Sequence, residues 1–291
     1  MFSGSIPALV TPFSGGRVAE DTFREFVEWQ IAEGSSALVP CGTTGEVATL
    51  SAAEHRRVIE MTVEVSKGRV PVIAGCGTYS TEASIERTRI AAGLGADAAL
   101  IVVPYYNKPS QAGLEAHFKA IADASPLPIV VYNVPSRTVA DIAVETLAEI
   151  AKHPRIVAVK DATGNLARVT AQRLACGESF CQLSGNDDMA LGFNAMGGVG
   201  CISVSANVAP RLCADFQKAM KSGEWDEAVR LQDRLYPLHA ALFTDASPAP
   251  AKYALKRLRQ GFPADLRLPL VNASEASKRA VDAALEHAGL I

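Results

Sequence analysis

The chain has 291 residues, 48% of them hydrophobic, with a formal net charge of −3 and a pI of about 6.0. That length and apolar content suit one large domain, or a domain with an appendage, and can bury a sizeable core without staples. The mild negative charge argues against nucleic acid or an anionic membrane as the main partner, because both require a concentrated basic face.

In chain order, the first seven residues lack a basic cluster followed by an apolar core. No apolar run approaches the roughly 20 residues that span a bilayer, so a cytoplasmic protein is expected. Short apolar, β-branched runs at 6–10, 37–40, 70–74, 98–103, 129–132, 156–159, 181–184 and 201–204 predict eight strands. Amphipathic stretches alternate with them, among them 21–33 closed by Gly34 and 51–67 closed by Gly68, the second opened by a Ser51/Glu54 capping box. Eight βα units within about 220 residues fit an α/β fold of the closed (β/α)8 TIM-barrel type better than a doubly wound sheet. From Pro210 onward the pattern is helical only, at 212–221, 225–243, 249–260 and 274–287. These helices exceed what the eighth unit needs. The expected organisation is a barrel over 1–223 and a C-terminal helical domain over 224–291, with the Pro-rich 247–250 as a turn inside it. The basic stretch 252–259 carries apolar residues at helical spacing and reads as a solvated helix face.

Cys41, Cys76, Cys176, Cys181, Cys201 and Cys213 form no C-x-x-C and mostly sit in apolar stretches, as reduced buried thiols do. The five histidines are scattered, with no Glu-x-x-His partner and no Gly-x-Ser-x-Gly elbow. Metalloprotease and serine hydrolase readings therefore lack parts, and neither a metal nor a cofactor is expected. Gly75-Cys76-Gly77 lacks the third glycine of a dinucleotide fingerprint.

The most informative residue is Lys160, which closes an apolar strand and runs into Asp161-Ala162-Thr163-Gly164-Asn165. An ammonium in low dielectric is pushed toward its neutral form, and a neutral amine attacks a carbonyl to give a Schiff base. The bland alternative is a strand-end lysine that snorkels to solvent or pairs with Asp161. Other strand ends carry complementary groups. These are Gly42-Thr43-Thr44-Gly45-Glu46, Pro104-Tyr105-Tyr106-Asn107, Tyr132-Asn133-Val134-Pro135-Ser136-Arg137 and Ser184-Gly185-Asn186-Asp187-Asp188. They offer hydroxyls for a proton relay and Gly-flanked amides for an anion. Singly, a Gly-Thr-Thr-Gly is more often a tight turn, the tyrosines serve equally well in packing, and Arg137 can cap a helix or pair with Asp141. Their joint placement at strand ends, where barrels gather catalytic groups, is what favours a site.

With Ala8-Leu9-Val10-Thr11-Pro12-Phe13, Gly198-Val199-Gly200-Cys201-Ile202-Ser203 and Leu266-Arg267-Leu268-Pro269-Leu270, these motifs span essentially the whole chain. In this the sequence resembles the pyruvate-dependent class I lyases, the family that includes the dihydrodipicolinate synthases and N-acetylneuraminate lyase. The resemblance implies that Lys160 forms the Schiff base with pyruvate and that Tyr132 relays protons beside it. Thr43 would link Tyr132 to Tyr106, the latter donated by a neighbouring subunit, which implies a homo-oligomer with a dimer as minimum and a dimer of dimers as the common form. Thr44 would hold the pyruvate carboxylate, with Gly185 and Ile202 lining the pocket through main-chain groups. Arg137 implies the synthase branch, where it would bind the carboxylate of L-aspartate 4-semialdehyde on the route to diaminopimelate and lysine. The alternatives are a sister lyase acting on a hydroxy-oxo acid or sugar acid, and a non-catalytic 2-oxo-acid binder. One departure is Val139, where the synthases often have glycine.

Many members of the family bind lysine as a feedback inhibitor at a dimer interface. The matching positions here are Val47, Ala48, Ala52, His55, Tyr79, Ala83 and Tyr105. His55 and Tyr105 are retained, but the residues at Val47, Tyr79 and Ala83 replace the polar partners of the ligand's charges, so weak or absent lysine feedback is expected. Leaving such a charge buried and unpaired costs several kcal/mol by rough reckoning.

Overall fold

The computed structural model describes residues 2–291. Seven parallel strands curl into one sheet in the order β1 (Gly4–Pro7), β9 (Gly200–Ser203), β8 (Cys181–Ser184), β7 (Ile156–Asp161), β6 (Ile129–Asn133), β5 (Ala98–Val102) and β4 (Ile73–Gly75). The remaining two strands, β2 (Phe13–Ser14) and β3 (Arg17–Val18), form a small antiparallel hairpin across Gly15 and Gly16. The hairpin was not expected, because two-residue strands are too short to show a period.

The segment 37–40, expected as a full strand, pairs only through the parallel bridges Ala8–Val39 and Leu38–Val72. Those bridges nevertheless close the ring. Leu9 N–H donates to Val39 O at 2.9 Å, and Ile73 N–H donates to Leu38 O at 2.8 Å, so the segment fills the gap between β1 and β4. The result is a TIM-barrel fold, as the eight apolar runs predicted.

Period-two alternation divides the strands' side chains between two cores. One lies inside the barrel and includes Ile6, Val39, Ile73, Leu100, Val130, Ala158, Leu183 and Ile202. The other lies between barrel and helices and takes the alternate positions, such as Val131 and Val159, with Phe23, Phe26 and Phe118 from the helical layer.

The helices preceding the tail are α1 (Glu20–Ala32), α2 (Ala52–Ser66), α3 (Thr81–Gly93), α4 (Gln111–Ala124), α5 (Pro135–Thr138), α6 (Val144–Ala151), α7 (Ala167–Cys176), α8 (Ala190–Ala195) and α9 (Pro210–Ser222). The expected capping box opens α2, with the Ser51 side chain accepting from Glu54 N–H and the Glu54 carboxylate accepting from Ser51 N–H. After α9 the chain is helical only, as expected: α10 (Trp225–Ala241), α11 (Ala249–Leu258) and α12 (Glu275–His287). α10 packs on α9 and α12, and α11 packs on α12 and on the turn that follows β9.

The basic stretch departs from expectation at one residue. Lys252 is wholly buried on the inner face of α11 beside Ala251, Ala254 and Leu255, with its ammonium on the Glu46 carboxylate. Lys256 and Arg257 do face solvent. All six cysteines are free thiols, and burial pushes their pKa values up, to about 12 for Cys76 and about 11 for Cys181.

Candidate active site

The parallel register of β6 and β7 sets Tyr132 directly beside Lys160. Both fall on the inward phase of their strands, two residues beyond Val130 and Ala158 of the inner core. The Lys160 ammonium group consequently sits 4.2 Å from the centre of the Tyr132 ring. Lys160 is only 6% exposed, so it does not snorkel.

Nor does it pair with Asp161. That carboxylate is occupied by Thr163 N–H at 2.9 Å, Arg168 Nε at 3.1 Å and Gln172 Nε2 at 2.7 Å. Among the described residues no carboxylate lies within 4 Å of Lys160 Nζ. Both bland readings of the lysine fail on this geometry.

Lys160 and Tyr132 open into a cavity of about 550 Å³ at the C-terminal ends of the strands. Thr43, Thr44, Arg137 and Gly185 line it as well, so six of the eight residues expected at the site converge there. Gly185 is needed for close approach, since a Cβ there would lie 2.6 Å from the Ala162 Cβ. Ile202 is fully buried in the inner core and its side chain is not on the cavity wall. Tyr106 also lies off the wall. It is 91% exposed, with a positive φ of 69°.

Several wall residues were not singled out from sequence. Asp187 is buried and accepts from Val204 N–H at 2.9 Å and Ser205 N–H at 3.2 Å, fixing the turn after β9. His239, Phe243 and Ser247 reach the cavity from α10 and the turn that follows it. The His239 Nδ1 lies 2.7 Å from the Ser205 hydroxyl, and burial depresses its pKa so that the ring is neutral near pH 7. Asp187 lies within the strand-end motif 184–188, whereas no local signal marks His239 and Phe243, because they come from a stretch that reads simply as amphipathic helix.

The residues matching the lysine site lie elsewhere. Tyr79 and Tyr105 pack edge to face with ring centres 5.3 Å apart. His55 is buried and donates from Nε2 to Gly75 O at 2.8 Å. Burial lowers its pKa, against the opposing pull of the Gly75 hydrogen bond. Val47 and Ala83 are half-buried, while Ala48, Ala52 and Tyr79 are exposed.

The fold and cavity define a barrel enzyme with a buried lysine beside a tyrosine, the equipment of Schiff-base chemistry on a carbonyl substrate. The dihydrodipicolinate synthetase family model matches residues 1–288. The 4-hydroxy-tetrahydrodipicolinate synthases of Rhizorhabdus wittichii and Zymomonas mobilis are 64% and 63% identical, with each chain covered in full. A crystal structure of chloride-inhibited dihydrodipicolinate synthase from Acinetobacter baumannii, complexed with pyruvate, superposes with a TM-score of 0.96 at 41% identity over the full length of both chains. The chain therefore belongs to the dihydrodipicolinate synthetase family.

Val139, the departure from the family pattern, directly follows α5, two residues after Arg137, with φ 63° and ψ −37°. A β-branched residue is strongly disfavoured at positive φ, at a cost of order 1–3 kcal/mol, whereas glycine adopts it freely. Val139→Gly should stabilise the protein by about 1 kcal/mol, raising Tm by about 2 °C in a calorimetric scan. An unchanged or lower Tm would show that the loop holds valine without strain.

Proposed function

We infer that the chain is a lyase catalysing the 4-hydroxy-tetrahydrodipicolinate synthase reaction, the condensation of pyruvate with L-aspartate 4-semialdehyde in lysine biosynthesis. The observation that carries this is Lys160, buried beside Tyr132 with no carboxylate partner, in a chain more than 60% identical to synthases over its whole length.

The sequence of steps follows from the groups present. Lys160 Nζ attacks C2 of pyruvate, and water leaves as the imine forms. Loss of a C3 proton gives an enamine, whose carbon attacks the aldehyde carbon of the semialdehyde. The amine of the condensed product then attacks the imine carbon, closes the ring and expels Lys160. Tyr132 is positioned to carry protons in these exchanges, work worth about 10²–10⁴-fold in rate.

Thr44 and its loop hold the pyruvate carboxylate, with Gly185 and the main chain at Ile202 completing that wall. Arg137 binds the carboxylate of the semialdehyde as a bidentate fork. Thr43 links Tyr132 to a Tyr106 supplied by a second copy of the chain. The near-complete exposure of Tyr106, away from its own chain's cavity, supports this reading, which makes a dimer the minimal active unit and a dimer of dimers the full assembly. The barrel, 1–223, carries the lysine, and 224–291 is a helical unit that walls one side of the cavity.

Product analysis by mass spectrometry, after mixing the protein with both substrates, should show the cyclic condensation product for wild type and none for Lys160→Ala. Arg137→Ala should raise KM for the semialdehyde by about 10–100-fold, the worth of a charge-assisted pair, and leave KM for pyruvate nearly unchanged. No product from folded wild-type protein would contradict the reading. Lysine at sub-millimolar concentration should leave the rate unaltered, since Val47 and Ala83 offer its charges no partner.

A further inference from the structure

The loop that presents Thr43 and Thr44 is built from two short 3₁₀ turns, Thr43–Gly45 and Val47–Thr49, joined at Glu46 with a left-handed φ of 55°. Such turns have poor internal hydrogen-bond geometry and do not hold a fixed shape unaided. The loop is instead held from below by groups distant in sequence. Glu46 sends its carboxylate into the interior, where it and Lys252 are both wholly buried, 2.5 Å apart. Its other oxygen accepts from Arg267 N–H at 3.1 Å. Lys252 also donates to Asp265 O at 2.8 Å, and its ammonium lies 4.2 Å over the Phe13 ring. Arg267 donates to Thr49 O at 3.0 Å and to Glu54 at 2.8 Å. Thr11 donates to Gly45 O at 2.8 Å.

Neither Glu46 nor Lys252 reaches the cavity, so neither touches substrate. A fully buried ion pair is a weak source of stability, because desolvation of both charges offsets their attraction, and apolar residues of like volume often serve stability as well or better. What such a pair does supply is direction, since a carboxylate with two fixed donors accepts only one placement of its backbone.

We propose that the Glu46–Lys252 pair positions the Thr43–Thr44 loop for the carboxylate of pyruvate, so that a helix of the C-terminal segment sets substrate affinity without contacting substrate. Glu46 and Lys252 are positioning residues in this arrangement, and the proposal rests on the reading of Thr44 as the carboxylate holder.

The test compares the full-length double variant Glu46→Leu/Lys252→Met, the isosteric Glu46→Gln and, for the loop itself, Thr44→Val. The double variant should keep its Tm within a few degrees of wild type while KM for pyruvate rises about tenfold or more and kcat changes less than threefold. Glu46→Gln should give a smaller rise, about threefold, and it decides the matter if the double variant fails to fold. A merely structural pair would lower Tm and the yield of active enzyme and leave KM untouched. If Thr44→Val raises KM for pyruvate but the folded pair variants do not, the positioning role is overturned. If Thr44→Val itself leaves that KM unchanged, the reading of the loop fails, and the proposal with it.

Discussion

The parallel register between the strands Ile129–Asn133 and Ile156–Asp161 is the constraint on which the rest of the site depends. It makes Tyr132 and Lys160 neighbours, and their shared phase points both into the barrel. A slip of one residue would send either side chain into the helical layer, among Val131 and Val159. The lysine is kept free by its neighbour. Asp161, the obvious partner by sequence, faces the opposite way and is saturated by Arg168, Gln172 and Thr163. The amine is thus buried with no carboxylate held against it, the setting on which the proposed nucleophilic role rests.

Around that pair the wall of the cavity is assembled from remote parts of the chain. The Thr43–Thr44 loop rests on a buried carboxylate and ammonium from two different segments. The turn after the last barrel strand is fixed by Asp187. The C-terminal segment contributes His239 from α10 and Phe243 from the turn after it. Beneath the loop, Arg267 ties its backbone to Glu54, whose carboxyl is held down to about 2 chiefly by that guanidinium. The C-terminal segment is therefore structurally continuous with the site.

What the sequence made legible was the part with a local signature. Eight apolar runs marked the barrel, and the Ser51/Glu54 capping box marked a helix start. The motifs at strand ends brought Thr43, Thr44, Tyr132, Arg137, Lys160 and Gly185 to one cavity. The segment 37–40 was recognisable as apolar, yet its two lone bridges are a tertiary outcome that no run of residues announces. Lys252 was misjudged because helical spacing identifies a face but not which charge on it meets a buried partner. His239 carried no signal, since a histidine on an amphipathic helix is ordinary until the fold turns it toward the cavity. Val139 stood out only against the family pattern, and its positive φ gives that departure its physical meaning.

The most direct measurement is intact-protein and peptide mass spectrometry after borohydride reduction in the presence of pyruvate alone. A covalent mass increase matching reduced pyruvate imine, located on Lys160 and missing from Lys160→Ala, is the predicted result. An adduct on another lysine, or none on a folded protein that forms product, would contradict the assignment of Lys160 as the nucleophile.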